Sequence, residues 1–376
     1  MSIYLDSNAT TQVHPRVVEA MMPYLTGAWY NPSSGYAAGR EVKVAIETAR
    51  EQVAALIGAE PDEIVFTGCG TESNSMVIKS LAREIGRKSS RVAVSEIEHS
   101  AVLRPTEAMA AVGFDVERVG VHDNGRLDLD QFENVVDSSK PGFASLMWAN
   151  NETGVVQPMM EATEIAKAAG WWMHTDAIQA VGKVPVRVDE VPVDFLSISG
   201  HKFHAPKGVG ALFIRKGTPF EPMIRGGGQE GGHRSGTENV PYIVALGEAS
   251  SIMMEEAGNG GLDRVAALRD RLETGLGERL NRVEFNGSRE HRTGNVAHVS
   301  FPGRVAAGLL PKLDAAGVQC SAGSACMTGK SQPGHVQKAM GFSDEKAFSS
   351  LRLSLSIFTT QEEVDEAVEL IARIVS

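Results

Sequence analysis

Along the first two thirds of the chain, short apolar runs alternate with longer segments whose apolar positions recur every three to four residues. The runs at 63–67, 91–94, 144–148, 171–175, 195–199 and 210–214 are apolar on consecutive positions, which predicts strands covered on both faces. Between them, 40–57, 72–85 and 161–169 have helical spacing and suffice as crossovers between parallel strands. The alternation predicts an α/β domain built on a mainly parallel sheet. Past Glu255 the pattern changes. EAGNGG at 256–261 reads as a hinge, followed by a charged amphipathic helix over 262–280, strands near 295–301 and 351–356, and a helix from Gln361. We therefore expect a large domain over 15–255 and a smaller α+β domain made of 1–14 and 256–376.

At 376 residues the chain exceeds what one ordinary core organises, in keeping with two domains. Its net charge of -11 and the lack of any basic run argue against direct nucleic-acid binding. The opening MSIYLDSNATT has no basic leader, and no apolar stretch approaches membrane-spanning length, so a cytoplasmic protein is expected. Three cysteines, Cys69, Cys320 and Cys326, are too few for a disulfide framework and match no CxxC metal spacing. They are expected to be reduced thiols, with no metal site.

Chemistry concentrates where apolar runs end. SGHKFHAPKG (199–208) puts Ser199, His201 and Lys202 at a strand's carboxyl end, where open α/β sheets build their sites. A lysine amine there can form a Schiff base with an aldehyde cofactor, with a hydroxyl and an imidazole near enough to hold a phosphate. By itself Lys202 would read as a surface lysine after a strand. WWMHTDAIQ (171–179) ends another run at Asp176 and turns back at Gln179. A carboxylate beside a pyridine nitrogen keeps it protonated, and an amide can bond a phenolic oxygen, whereas a helix cap would explain Asp176 alone. TGCGTESN (67–74) leaves a strand through two glycines and enters a helix at about Thr71, where free N–H groups favour phosphate, although taken alone it is an ordinary glycine turn with a Thr cap.

Two nucleotide-like strings fail on context. GGGQEG places Gly226, Gly228 and Gly231 in a GxGxxG pattern but neither follows a clear strand nor opens a helix, and Gly323 to Ser331 has the wrong glycine spacing for a P-loop. The surrounding CSAGSACMTGKSQPG, rich in Gly, Ser and Ala, predicts an exposed and mobile loop carrying Cys326. Cys69, within a turn, reads as an inert small hydrophobe.

Together these segments resemble the cysteine desulfurases of the class V aminotransferase group. The ordered matches run from IYLDSNATT through NPSS, GTES, EHSAV, NNETGVVQP, HTDAIQAVGK, SGHKFHAPKG, RSGTENVP and SAGSACMTG to SLRLSLS, covering nearly the whole chain. The SGSAC string resembles the long-loop branch that serves nitrogenase and general iron–sulfur assembly. The resemblance implies the type I pyridoxal-phosphate transferase fold and pyridoxal 5'-phosphate as cofactor. It assigns Lys202 the covalent attachment, Asp176 the pyridine nitrogen, Gln179 the phenolic oxygen and His99 the stacking position over the ring. Gly70, Thr71, Ser199 and His201 would hold the phosphate, completed by Thr237 from the neighbouring subunit of a homodimer. Arg352 would clamp the substrate carboxylate with Asn151 nearby, a bidentate role that a lysine cannot reproduce.

The implied activity converts L-cysteine to L-alanine. Lys202, once freed, is the candidate base for the α-proton, and Cys326 attacks the substrate sulfur, keeps it as a persulfide and passes it to an acceptor or scaffold protein. Catalysis would thus rest on Lys202, Cys326 and His99. Cys69, Ala322, Met327 and Cys320 depart from the family pattern. Met327 alters the polarity beside the nucleophile, and Cys320 raises a resolving disulfide with Cys326. Selenocysteine lyase and aminotransferase activities on the same fold remain the alternatives.

Overall fold

The computed structural model of the protein describes residues 2–86, 90–136, 138–140, 142–322 and 333–376. Cys326 and Met327 lie outside them. The strands, in chain order, are β1 (Ile3–Tyr4), β2 (Ile64–Thr67), β3 (Arg91–Ser95), β4 (Asp115–Val119), β5 (Gly142–Ser145) and β6 (Trp172–Asp176). There follow β7 (Phe195–Ser199), β8 (Gly210–Ile214), β9 (Glu284–Phe285), β10 (Val296–Ser300), β11 (Val318–Gln319) and β12 (Ser350–Ser354).

Seven strands form one sheet in the order β2-β8-β7-β6-β5-β3-β4. All run parallel except β8, which pairs antiparallel with both β2 and β7. Successive side chains of a strand point to opposite faces, and here both faces are covered. In β8, Ala211 and Phe213 enter the core under helices Ala37–Ile57 and Val240–Gly258, while Leu212 and Ile214 join the core beneath helix Gly70–Ile85. That double burial explains the unbroken apolar runs.

Helix Val240–Gly258 continues through the first half of the segment expected to be a hinge. The break comes at Asn259 and Gly260, where Gly260 takes φ +76, and helix Gly261–Arg279 begins at once. A second core then gathers Leu268, Leu272 and Leu276 with Val299 and Phe301 of the β10 region, Leu351 and Leu353 of β12, and Val368 and Ile371 of helix Gln361–Val375. Ile3 and Leu5 belong to that core, because β1 pairs parallel with β11. Sheet β12-β10-β9 is antiparallel.

The run at 144–148 overshoots its strand. β5 ends at Ser145, although Leu146 and Trp148 still donate to the His174 and Asp176 carbonyls beside β6. β4 escapes the apolar pattern because Asp115, Glu117 and Arg118 occupy an exposed sheet edge.

Candidate active site

The carboxyl ends of β2, β6 and β7 meet at one edge, and a cavity of about 370 Å³ opens above them. Gly70, Thr71, His99, Asn151, Asp176, Gln179, Ser199, His201, Lys202 and Arg352 all line it, so ten expected site residues converge from distant parts of the chain. Thr237 is not in that lining; it is exposed on the loop before helix Val240–Gly258.

β2 leaves the sheet at Thr67 and helix Gly70–Ile85 starts three residues later. The first turn of a helix offers N–H groups without intrahelical partners. A Cβ at Gly70 would run into the end of the Ile178 side chain and crowd Ser199, so a larger residue there would have to displace Ile178. His201 bonds Thr10 Oγ1 through Nδ1 at 3.1 Å. Burial, aided by Lys202, lowers its imidazole to about 4, which keeps the ring neutral near physiological pH.

Asp176 closes β6 on the cavity floor. Its Oδ2 accepts from Asn74 Nδ2 at 2.7 Å and its Oδ1 from the Ile178 amide at 3.1 Å. Burial raises its pKa, and Asn74 and His99 oppose the rise. Two residues earlier, His174 lies between Ser145 Oγ at 2.8 Å and Ser197 Oγ at 3.0 Å. Burial lowers it to about 3, leaving a neutral brace across the strands that carry the site.

Lys202 follows β7 on a single 3-10 turn, and its Nζ donates to the carbonyls of Asn8 at 2.7 Å and Ala9 at 2.8 Å. Burial, then Arg352, lowers the amine to about 8, while Asp176 and Asp6 pull the other way. An amine of this kind is partly neutral near physiological pH, and the neutral form is the one that attacks an aldehyde. His99 caps helix Ser100–Ala111, accepting from the Ala101 amide at Nδ1, which leaves Nε2 to carry the ring proton. The surrounding protein lowers its pKa, Asp176 raises it and Lys202 lowers it further.

Arg352 sits mid-strand in β12, buried rather than at a surface strand end. Its Nη2 pairs with Asp6 Oδ1 at 2.7 Å and its Nη1 with the Asn151 carbonyl at 3.0 Å, so part of the guanidinium is already engaged by protein. Sequence reasoning assigned nothing to Asp6 or Asn8. Both lie on the segment after β1, and Asn8 alone meets Lys202, Gln179, Lys183, Asn295 and Asn151. Several polar residues directly after a short apolar strand were the available signal. Glu98 was missed too: fully buried, it accepts from Ser95 Oγ at 2.5 Å and from the Met147 amide at 2.7 Å, and burial raises it to about 8.

Cys69, expected to be an inert small hydrophobe, is exposed and borders the cavity at the helix start. Cys320 is partly buried, and that burial, with Asp6 adding repulsion, pushes its thiol up to about 12, far from a thiolate at neutral pH. Among the described residues no group of His, Cys, Asp or Glu is placed to hold a metal ion. The GxGxxG string carries a different feature: Glu230 holds Arg50 through both guanidinium ends, at 2.8 and 3.0 Å.

The family described as aminotransferase class-V matches residues 3–367. A cysteine desulfurase of Trichormus azollae is 42% identical over 373 residues, 99% of this chain and 92% of that protein. The cysteine desulfurase NifS of Azotobacter vinelandii is 41% identical over 376 residues, 100% of this chain and 92% of its own length. A solved structure described as a NifS-like protein superposes with TM-score 0.93 at 37% identity, covering 100% of this chain and 99% of that one.

Proposed function

The chain belongs to the aminotransferase class-V family, and from that premise we propose how it acts as a pyridoxal-phosphate-dependent cysteine desulfurase. The observation that carries the reading is the convergence of Lys202 and Asp176 on one cavity beside the start of helix Gly70–Ile85. These residues fit the cofactor: a partly neutral amine for its aldehyde, a carboxylate for its ring nitrogen, and a glycine-walled helix N-terminus for its phosphate. When bound, pyridoxal 5'-phosphate supplies an aldehyde for amine attachment and a ring that accepts electrons from the substrate α-carbon.

Each protein group then has a task. Gly70, Thr71, Ser199 and His201 hold the phosphate, Asp176 keeps the proton at the ring nitrogen, Gln179 meets the phenolic oxygen and His99 covers the ring face. Arg352, with Asn151, holds the carboxylate of L-cysteine. Lys202, pushed toward its neutral form, takes the α-proton. Cys326 as thiolate attacks the substrate sulfur; the carbon–sulfur bond breaks, the sulfur stays on Cys326 as a persulfide, and protonation of the carbon skeleton releases L-alanine. An acceptor or scaffold protein of iron–sulfur assembly then takes the sulfur.

A second copy of the chain completes the site. Thr237 lies away from its own chain's cavity, and Trp29 and Val44, 71% and 65% exposed, present apolar surface for such a copy to cover. We divide the chain into a large unit over 15–255 and a small one of 1–14 and 256–376, and place the reaction in the cytoplasm.

Mass spectrometry after one turnover tests this function, with alanine measured alongside. The added sulfur is expected on the peptide of Cys326. Cys326→Ser keeps the cofactor colour and yields almost no alanine, and Cys320→Ser keeps most activity. Sulfur found on Cys320 or Cys69 overturns the assignment.

A further inference from the structure

Gln179 and Lys183 stand four residues apart on the helical turns after β6, where backbone bonds run from the Val181 amide to Ala177 and from the Lys183 amide to Ala180. Residues at that spacing face each other along a helical turn. Lys183 Nζ donates to Gln179 Oε1 and, at 3.1 Å, to Asn8 Oδ1. On its other side the same glutamine donates through Nε2 to the Asn8 carbonyl at 2.9 Å. A backbone carbonyl only accepts, and Lys183 is the donor facing Oε1, so one orientation of the amide satisfies both neighbours. The Asn8 amide is fixed in turn, its Nδ2 donating to the Asn151 carbonyl at 3.1 Å and its Oδ1 also receiving Asn295 Nδ2 at 3.0 Å. One N–H of Gln179 is left over, on a residue that lines the cavity.

We infer that Lys183 is a positioning residue that sets the orientation of the Gln179 amide, so that an N–H rather than a carbonyl meets the phenolic oxygen of the cofactor. The inference rests on the reading above in which Gln179 meets that oxygen. With the amide turned over, its oxygen would oppose an anionic oxygen, which is repulsive. Lys183 itself stays out of the cavity. It lines a smaller space of about 30 Å³ beside Lys202, shared with Ser7 and Asn295. Burial, then Lys202 and Arg352, holds its amine well below the usual lysine range. Its N–H bonds go to Gln179 and Asn8. Lys183 therefore acts as a donor at a fixed place.

The experiment uses the pyridoxal-phosphate-loaded enzyme and reads the pH midpoint of its visible absorption change, with cofactor content and melting temperature to verify folding. An N–H on the phenolic oxygen stabilises its anion, so losing that bond raises the midpoint. Gln179→Ala is expected to raise it by about half to one pH unit. Lys183→Met is expected to raise it similarly, and the double variant to go no further than Gln179→Ala alone. Lys183→Gln, which keeps a donor and removes any charge, is expected to hold the wild-type midpoint. An effect of Lys183→Met that persists undiminished in the Gln179→Ala background overturns the inference, since the lysine would then act directly. So does a midpoint that moves with Gln179→Ala and stays still with Lys183→Met. If Gln179→Ala itself moves nothing, the role given to Gln179 falls, and this inference with it. Should Lys183→Met fail to fold, Lys183→Gln decides: a shift as large as that of Gln179→Ala sinks the proposal.

Discussion

The sheet edge and the strap Asp6–Thr11 face each other across the cavity and do different work. The edge delivers Asp176, Ser199 and Lys202 from the ends of adjacent parallel strands, each carried on backbone that the sheet fixes. The strap brings mainly partners: carbonyls of Asn8 and Ala9 for Lys202, the Asp6 carboxylate for Arg352, and the Thr10 hydroxyl for His201. In the function proposed above, one side holds the reacting groups and the other aims them. Damage to the edge should therefore appear as lost chemistry in a folded enzyme, and damage to the strap as lost stability and substrate affinity.

Four experiments press on that contrast. Asp176→Asn, at the edge, is expected to fold and to cut turnover by about 10²- to 10⁴-fold, read as kcat with cofactor content held equal. An unchanged kcat would remove the edge from the chemistry. Asp6→Ala, in the strap, leaves the buried Arg352 without its carboxylate and should cost about 3 kcal/mol of stability, read by denaturant titration. Full stability there would make the strap dispensable. Arg352→Lys keeps the charge and loses the planar fork, so KM for cysteine should rise about tenfold while the cofactor spectrum stays. An unchanged KM contradicts the carboxylate role. The smallest effect concerns pH. Cofactor uptake by the cofactor-free protein needs the neutral Lys202 amine, whose pKa burial lowers to about 8. Uptake should accordingly quicken as pH rises, by roughly fivefold between pH 7 and pH 8 and little beyond pH 9. A rate that falls with pH over that interval rejects the neutral-amine account.

The edge was legible in the amino-acid sequence for a physical reason. Strands buried on both faces write unbroken apolar runs, and a polar residue ending such a run stands at the sheet's rim, which made Asp176, Ser199 and Lys202 visible. Strand direction was not written there. β8 reads like its neighbours because antiparallel and parallel strands buried on both faces have the same apolar pattern. Nor was the strap legible, since Asp6 and Asn8 act through partners more than a hundred positions away and a short irregular segment has no period to reveal them. Lys183 falls within HTDAIQAVGK without a sign of its role, because a lysine after a turn looks solvated until the fold sets Gln179 and Asn8 against it. Glu98 stayed hidden for the same reason: nothing local in EIEHS tells that its carboxyl is sealed from water.

The strap also makes the site depend on closing a very long loop. Asp6 meets Arg352 across 346 positions of sequence, and the Ser7 amide bonds the carbonyl of Ser354. Segments that far apart must come together before either has its partner, and closing so long a loop is slow. A chain that has built the seven-stranded sheet can therefore carry Lys202 at its rim and still lack the contacts that aim its amine.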